Sequence, residues 1–408
     1  MSTNTASSPS GVWRNTLHCS IRYGPGCLAP SLRSVFEEDL ALLSPRPSRA
    51  LIITGKSLST KTDVIHQVRS ALGDRYVATF DSISQHAPVE AIHEAVELVK
   101  RERIDALVSV GGGSPIDAAK AVSYLVHQER HGEDDNEPRN FIPSIAIPTT
   151  LSSAETTQNS GFTRDGKKTG VSHPALVPRA IILDGEVAMH TPLWLFLSSG
   201  MRAVDHAIEC LYRPGDVQWL LRGQYLAALR ELFVMLRRCK EKPDDVDTRQ
   251  RLQIAAVTSL FPESRKGALG LSHGLGHALG SSYSIPHGIT SCLTLAGSIR
   301  YTTRHSTPDR LASLAEALPF VVSSGSLAPI DSQDLEKLRE QGNRVADEVD
   351  RLVSDLGLTS TLAEYKVPQS ALRGIAEHAA GPKGKEDPKL VDEIVQLLED
   401  IDQPKSRA

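Results

Sequence analysis

The chain has 408 residues, is 40% hydrophobic and 23% charged, and carries a formal net charge of −4, which is enough apolar material for two to three domain-sized cores. Interspersed charge signs give no basic field for a phosphate backbone, and no apolar run approaches the roughly 20 residues of a spanning helix, so nucleic-acid and membrane partners are excluded as expectations. Five cysteines (Cys19, Cys27, Cys210, Cys239, Cys292) without C-x-x-C spacing predict reduced structural thiols and, with no apolar signal segment at the start, a cytoplasmic protein.

Residues 1–12 are Ser/Thr-rich and predict a disordered start, and Gln403–Ala408 predicts a frayed tail. Short β-branched runs then alternate with helical patterns, predicting strands at Ala50–Thr54, Tyr76–Phe80, Ala106–Val110, Ser144–Pro148 and Arg179–Leu183 in a mainly parallel sheet. Val89–Arg103 presents Ile92, Val96 and Val99 on one helical face. His127–Asn140 is charged and aperiodic, predicting a surface excursion. From about Thr191 helical spacing dominates, through Leu220–Cys239, Asp309–Leu318 and Leu335–Leu356. The expected fold class is α/β followed by all-α: a parallel-sheet dinucleotide-binding domain over 1–190 and a helical domain over 191–408.

Strand Ala106–Val110 runs into Gly111-Gly112-Gly113-Ser114-Pro115 and a helix. Strand, glycine turn and helix N-terminus make an anion site, because unpaired amides and the helix dipole face whatever sits there. Pro148-Thr149-Thr150-Leu151-Ser152-Ser153 ends a second strand in hydroxyls at the same carboxyl edge, where open α/β sheets bind ligands. A dinucleotide fits both. After the first strand stand Gly55 and Lys56 with no acid to read a ribose 2'-hydroxyl, which favours NADP over NAD.

In Leu271–Gly288, His273 and His277 are four apart and share a helical face, and His287 follows Pro286. His206 lies upstream in a helical stretch. Such a set suits a divalent metal or proton transfer.

GGGSPIDAAKA at Gly111–Ala121, IPTTLSSAETT at Ile147–Thr157, SGMRAVDHAIECLY at Ser199–Tyr212 and H-x3-H-x8-P-H from His273 together resemble the iron-containing (group III) alcohol dehydrogenase superfamily, most of all its maleylacetate reductase branch. The resemblance spans about Tyr23 to about Asp400 and implies the dehydroquinate synthase-like fold of that superfamily, with the active site in the interdomain cleft of a homodimer. It implies that Gly112, Gly113 and Ser114 cradle the pyrophosphate, Asp117 supports the turn, and Thr149, Thr150 and Ser152 line the groove. Lys168 and Val187 fall where the family places further nicotinamide-side contacts, and Gly55 stands where NAD-preferring members carry an acid.

The family's metal pattern maps to His206, His273 and His287, but its acidic ligand position is Arg202. A guanidinium removes a ligand and adds a repelling charge. Asp205, about 100° round the helix from His206, does not replace it. The maleylacetate reductase branch also lacks that acid and is understood to work without a required metal. The implied activity is NAD(P)H-dependent hydride transfer to an unsaturated oxo-acid or related carbonyl; two alternatives stay open, an Fe- or Zn-dependent alcohol dehydrogenase and a non-redox lyase, dehydratase or biosynthetic enzyme on the same fold. The catalytic candidates are Arg202, which would meet developing negative charge or a substrate carboxylate, His277 as proton donor, His273 next, and His206.

Overall fold

The computed structural model describes residues 11–14, 19–85, 87–132, 135–164, 167–213, 219–260, 269–322 and 334–402. The predicted frayed tail lies outside them, as do residues 1–10 of the predicted disordered start. Its last two residues do not: Gly11 and Val12 belong to a strand.

Among the described residues nine strands are present: β1 (Gly11–Arg14), β2 (Ser20–Tyr23), β3 (Ala50–Ile53), β4 (Tyr76–Phe80), β5 (Ala106–Gly111), β6 (Ser144–Pro148), β7 (Asn159–Arg164), β8 (Lys167–Ser172) and β9 (Ala180–Leu183). Seven form one sheet in the order β1-β2-β9-β6-β5-β3-β4, with β1 antiparallel and the other six parallel. β7 and β8 form a separate antiparallel hairpin. The helices of the first half are α1 (Leu28–Ser34), α2 (Lys56–Lys61), α3 (Val64–Leu72), α4 (Val89–Arg101), α5 (Gly113–His131) and α6 (Gly185–Ala188). Those that follow are α7 (Leu193–Tyr212), α8 (Trp219–Glu241), α9 (Val246–Ser259), α10 (Leu271–Tyr283), α11 (His287–His305), α12 (Pro308–Ala315), α13 (Leu318–Val321), α14 (Leu335–Leu356), α15 (Leu372–Ala380), α16 (Pro382–Glu386) and α17 (Pro388–Ile401).

The chain divides into two compact units. One runs to Pro192 and takes in Lys242–Val257; the other holds Leu193–Glu241 and the chain from Thr258 onward apart from Pro262–Ser264. The return of α9 to the first unit is not contained in a single division at residue 190. Val257 and Ile254 of α9 pack on Ile21, Ile181 and Leu183 of the sheet.

In the first unit the pleat sorts side chains by parity. Ala50, Ile52, Val108 and Ile145 join α1 and α3 in one apolar cluster. Leu51, Ile53 and Leu107 join α4 and α5 in another. Strands buried on both faces read as continuous apolar runs, which is why β3, β5, β6 and β9 are visible in sequence; β4, also expected there, is the half-buried edge strand. β3 leads by α3 to β4 on one side, whereas β5 returns to the other side of β3. The carboxyl ends of β3 and β5 thus flank a topological switch point, where doubly wound sheets hold ligands.

The predicted excursion at His127–Asn140 needs correction. α5 continues to His131, because His127 is 2% exposed and stacks on Phe141 with ring centroids 3.8 Å apart.

In the second unit α7 is buried around its whole circumference from Phe196 to Tyr212. It packs on α8 and α11, and α10 packs on α11 and α15. A helix enclosed on all sides cannot leave a charge unpaired without a cost of several kcal/mol, so the charged residues of α7 define where chemistry is held. No described helix is long and apolar enough to cross a membrane.

Candidate active site

The glycine turn and the hydroxyl segment meet. Gly111 and Pro148 are partners in the β5–β6 register, and the Thr149 amide donates to Gly111 O at 2.9 Å. Gly111 has φ +138°, a conformation that glycine adopts without strain. A Cβ on Gly112 would stand 3.2 Å from Thr150 Cγ2, and one on Gly113 3.3 Å from Ser152 Oγ. Gly112 and Gly113 therefore let the backbone close on this segment. Gly112 caps α5 without a side-chain acceptor for the first-turn amides, and the Ser152 hydroxyl is buried with no hydrogen-bond partner. The amides of a helix N-terminus without a capping side chain, its dipole and an orphaned hydroxyl fit a pyrophosphate, so the residues present suit NAD(P).

The other expected contacts are spread around this edge of the first unit. Ser114 and Asp117 lie in the first turns of α5, where Asp117 O accepts the Ser160 hydroxyl at 2.7 Å. Lys168 sits on β8 opposite Thr163. Val187 is 3% exposed within the apolar cluster of the α1/α3 face, so its side chain is core and not groove lining. Gly55 bridges Ser82 at the switch point. Lys56 is paired with an acid from the next strand's end: its Nζ lies 3.1 Å from Asp81 Oδ2.

Lys120, inside the GGGSPIDAAKA motif, was overlooked as a positioning residue. Its buried ammonium donates to Ala154 O at 2.6 Å, Thr157 O at 2.7 Å and Asn159 O at 3.0 Å. The helix that carries the glycine turn thereby also ties down the loop after Ser152. Beside it Glu155 is 1% exposed, and burial pushes its carboxyl up to about 7. A carboxyl whose folded pKa is raised from 4.5 stabilises the fold fully below 4.5 and loses that contribution as pH rises to about 7. The Glu155-linked stability is expected to fall by about 3 kcal/mol across that window. Urea unfolding of the wild type and Glu155→Gln at pH 4.5, 5.5 and 7.5 checks it: the gap between the two should change with pH, and a constant gap rejects the assignment.

The second unit assembles a different cluster. Arg202, Asp205 and Glu209 lie on one face of α7 and are 8%, 0% and 0% exposed. Arg202 Nη1 is 3.4 Å from Asp205 Oδ2 and 3.4 Å from Ser291 Oγ. The Ser272 and Ser291 hydroxyls donate to the same carboxylate oxygen at 2.9 and 2.5 Å. Glu209 accepts the amides of Gly270 and Ser272 at 2.9 and 2.8 Å and lies 2.7 Å from His273 Nδ1. The His206 and His273 rings are 4.9 Å apart. His287 heads α11 and meets His277 edge-on at 5.9 Å, and His277 is exposed.

Burial and then the charge of Asp205 push the Glu209 carboxyl upward. Burial works upward on Asp205 as well, but the proton-bearing His273 nitrogen, Arg202 and the Ser291 hydroxyl outweigh it and hold that carboxyl below its usual range. Burial draws the Arg202 guanidinium downward against the pull of Asp205 and Glu209; it stays charged.

Among the described residues the one group of three or more His, Cys, Asp or Glu donors within 4.8 Å of one another is Asp205, Glu209 and His273. His206, His273 and His287 do not converge in that way. Nor do the three that converge form a cradle for a divalent cation: Asp205 Oδ2 already accepts two hydroxyls, Glu209 two amides and the imidazole N–H, and a guanidinium lies alongside. The residues present do not fit the family's metal. The sequence offers Asp205 and Glu209 as salt-bridge partners of Arg202, and the structure forms the Asp205 pair; what the sequence does not disclose is that Glu209 engages His273. Positions 202, 205 and 209 are i, i+3 and i+7 on one helical stripe, and charge at that spacing in an otherwise apolar helix is the available signal.

Two family models match the chain: "Iron-containing alcohol dehydrogenase" over residues 32–185, and "Fe-containing alcohol dehydrogenase family, C-terminal" over residues 196–401, the second alone spanning half of it. A dehydrogenase of Gibberella moniliformis (FUM7) is 28% identical over 365 residues, 81% of this chain and 84% of its own. A maleylacetate reductase of a Rhizobium species is 30% identical over 270 residues, 66% of this chain and 71% of its own. The crystal structure of maleylacetate reductase from Agrobacterium tumefaciens aligns with a TM-score of 0.73 at 26% identity, covering 96% of this chain and 97% of that one. With both units matched, the chain belongs to the iron-containing alcohol dehydrogenase family, among relatives that include maleylacetate reductases.

Proposed function

We propose that the protein is an NAD(P)H-dependent reductase of an unsaturated oxo-acid, as the maleylacetate reductases are by name, with a small carboxylate-bearing substrate and a cytoplasmic homodimeric form. The observation that carries this reading is the buried Arg202 guanidinium, paired with Asp205 beside His206 and His273, where the family's alcohol dehydrogenases place an acidic metal ligand.

Gly112, Gly113, Ser114 and Ser152 hold the dinucleotide's pyrophosphate, with Thr149 and Thr150 shaping the edge. When bound, NAD(P)H supplies a hydride from C4 of its nicotinamide ring. Reduction of a carbon–carbon double bond conjugated to a carbonyl places negative charge on the carbonyl oxygen, and fixed positive charge lowers the barrier to that step. Arg202 meets that charge or forks onto a substrate carboxylate. A neighbouring imidazole returns one proton to the substrate. Of the two histidines expected for that task, His273 has the better support: it is buried and its Nδ1 is pinned by Glu209, whereas His277 is exposed.

The test is to follow NADPH absorbance with maleylacetate before and after exhaustive chelation. Turnover that survives supports the proposal; turnover that vanishes and returns with Fe or Zn rejects it in favour of a metal-dependent dehydrogenase.

The NADP preference is part of the proposal and has its own test. Asp81 competes with a 2'-phosphate for Lys56, so Asp81→Asn is expected to raise the NADPH-over-NADH preference about fivefold, the scale of one exposed ion pair. Fluorescence titration with both cofactors measures it, and an unchanged ratio removes Lys56 from the 2'-phosphate site.

A further inference from the structure

We infer that Glu209 is a positioning residue that fixes the tautomer of His273, holding the proton on Nδ1 and leaving the lone pair on Nε2. The inference deepens the reductase reading, because it names the atom, Nε2, that takes a proton from solvent and then passes it to the substrate.

Glu209 Oε2 lies 2.7 Å from His273 Nδ1, and both residues are buried. An ionised carboxylate only accepts, so the ring nitrogen that faces it carries the hydrogen. Three features keep Glu209 ionised against the upward push of burial and of Asp205. Its Oε1 accepts the Ser272 amide and its Oε2 the Gly270 amide. These amides belong to the N-terminus of α10, whose dipole favours an anion. Gly270, the N-cap, supplies no side-chain acceptor of its own. Glu209 therefore caps α10 from α7 and orients a ring two residues into that helix with the same carboxylate. A Cβ on Gly270 would stand 2.5 Å from Glu209 Oε1, so the carboxylate occupies space that only glycine leaves.

The opposite nitrogen, Nε2 of His273, is buried and has no hydrogen-bond partner. An orphaned buried acceptor costs about 1–3 kcal/mol. A substrate hydroxyl or a transferred proton satisfies it only if the tautomer presents a lone pair there. Glu209 sets that condition without touching the substrate.

The experiment is a 15N–1H long-range spectrum of the full-length protein at pH 8.5, with His273 assigned by the signal lost in His273→Gln. The expected pattern is a protonated Nδ1 and a bare Nε2; a protonated Nε2, or a doubly protonated ring, overturns the inference. Glu209→Gln keeps one acceptor for the α10 amides but can present N–H to Nδ1, which reverses the tautomer. That variant is expected to lower kcat about a hundredfold or more with KM within about threefold, and its spectrum to show Nε2–H; an unchanged kcat in a folded variant with a reversed spectrum overturns the inference. If Glu209→Gln does not fold, the wild-type spectrum decides alone. A wild type that binds no NADPH and reduces no oxo-acid defeats the proposed function, while the spectrum still decides the tautomer.

Discussion

Arg202→Met is expected to lower kcat/KM for an oxo-acid by about 10²–10³, the size of effect produced by removing one preorganised stabiliser of developing negative charge. The same change leaves Asp205 fully buried with hydroxyl partners and no cation. Breaking a buried pair from one side costs about 3–5 kcal/mol, so the urea midpoint should fall with the activity. Arg202→Lys separates the two effects. It keeps the charge, and most of the stability, but loses the planar fork, so a residual fall of about tenfold in kcat/KM isolates two-point recognition from charge. Arg202→Asp goes further, placing three carboxyl groups in one buried network. Zn or Fe ions should raise the melting temperature of that variant, since binding to the native state alone adds about 2.7 kcal/mol at a hundred times Kd, and leave the wild type unmoved. An Arg202→Met enzyme with kcat/KM within about threefold of wild type would sink the case for side-chain positive charge at this site.

Legibility in the sequence followed burial. β3, β5, β6 and β9 are apolar on both faces, so their runs stood out without any period to detect. β2 did not, because Ser-Ile-Arg-Tyr carries a cation in its middle. In the fold Arg22 is 4% exposed and lies 3.1 Å from Glu38 and 3.0 Å from Asp39, a pairing that only tertiary structure supplies. The β7–β8 hairpin was missed although an Asp-Gly dipeptide separates its strands, the strongest short-range hairpin signal. In the second unit the motifs located Arg202, His206 and His273, and the structure brings them into one neighbourhood. That Asp205 and Glu209 can pair with Arg202 follows from their spacing on one helix; what else they bind does not. Asp205 and Glu209 matter through partners on α10 and α11, namely Ser272, His273 and Ser291, and helix-to-helix register is not written in local spacing.

Gly288→Ala is the second large effect. A Cβ there would stand 2.2 Å from Ser198 O, 2.4 Å from Ser198 C and 2.9 Å from Ser199 N. These are backbone atoms of α7, so no rotamer relieves the overlap and α11 must draw away from α7. Overpacking of this kind costs about 1–3 kcal/mol when side chains yield, and more when backbone must move. At about 2–4 °C per kcal/mol for a unit of this size, a melting temperature lower by about 6–12 °C is expected. Activity should fall as well, since Ser198 is one turn before Arg202 and Ser291 lies one turn into α11, and the Arg202–Ser291 contact spans the two helices. Gly374→Ala makes the same chemical change inside α15, where nothing lies within 4 Å of the added carbon. There the smaller entropy of the unfolded chain and the better helix propensity of alanine should stabilise by about 0.5–1 kcal/mol. Calorimetry of the two variants therefore reads opposite signs from one substitution. If Gly288→Ala melts with the wild type, α7 and α11 are not held at backbone contact, and the network joining Arg202 to Ser291 loses its geometric basis.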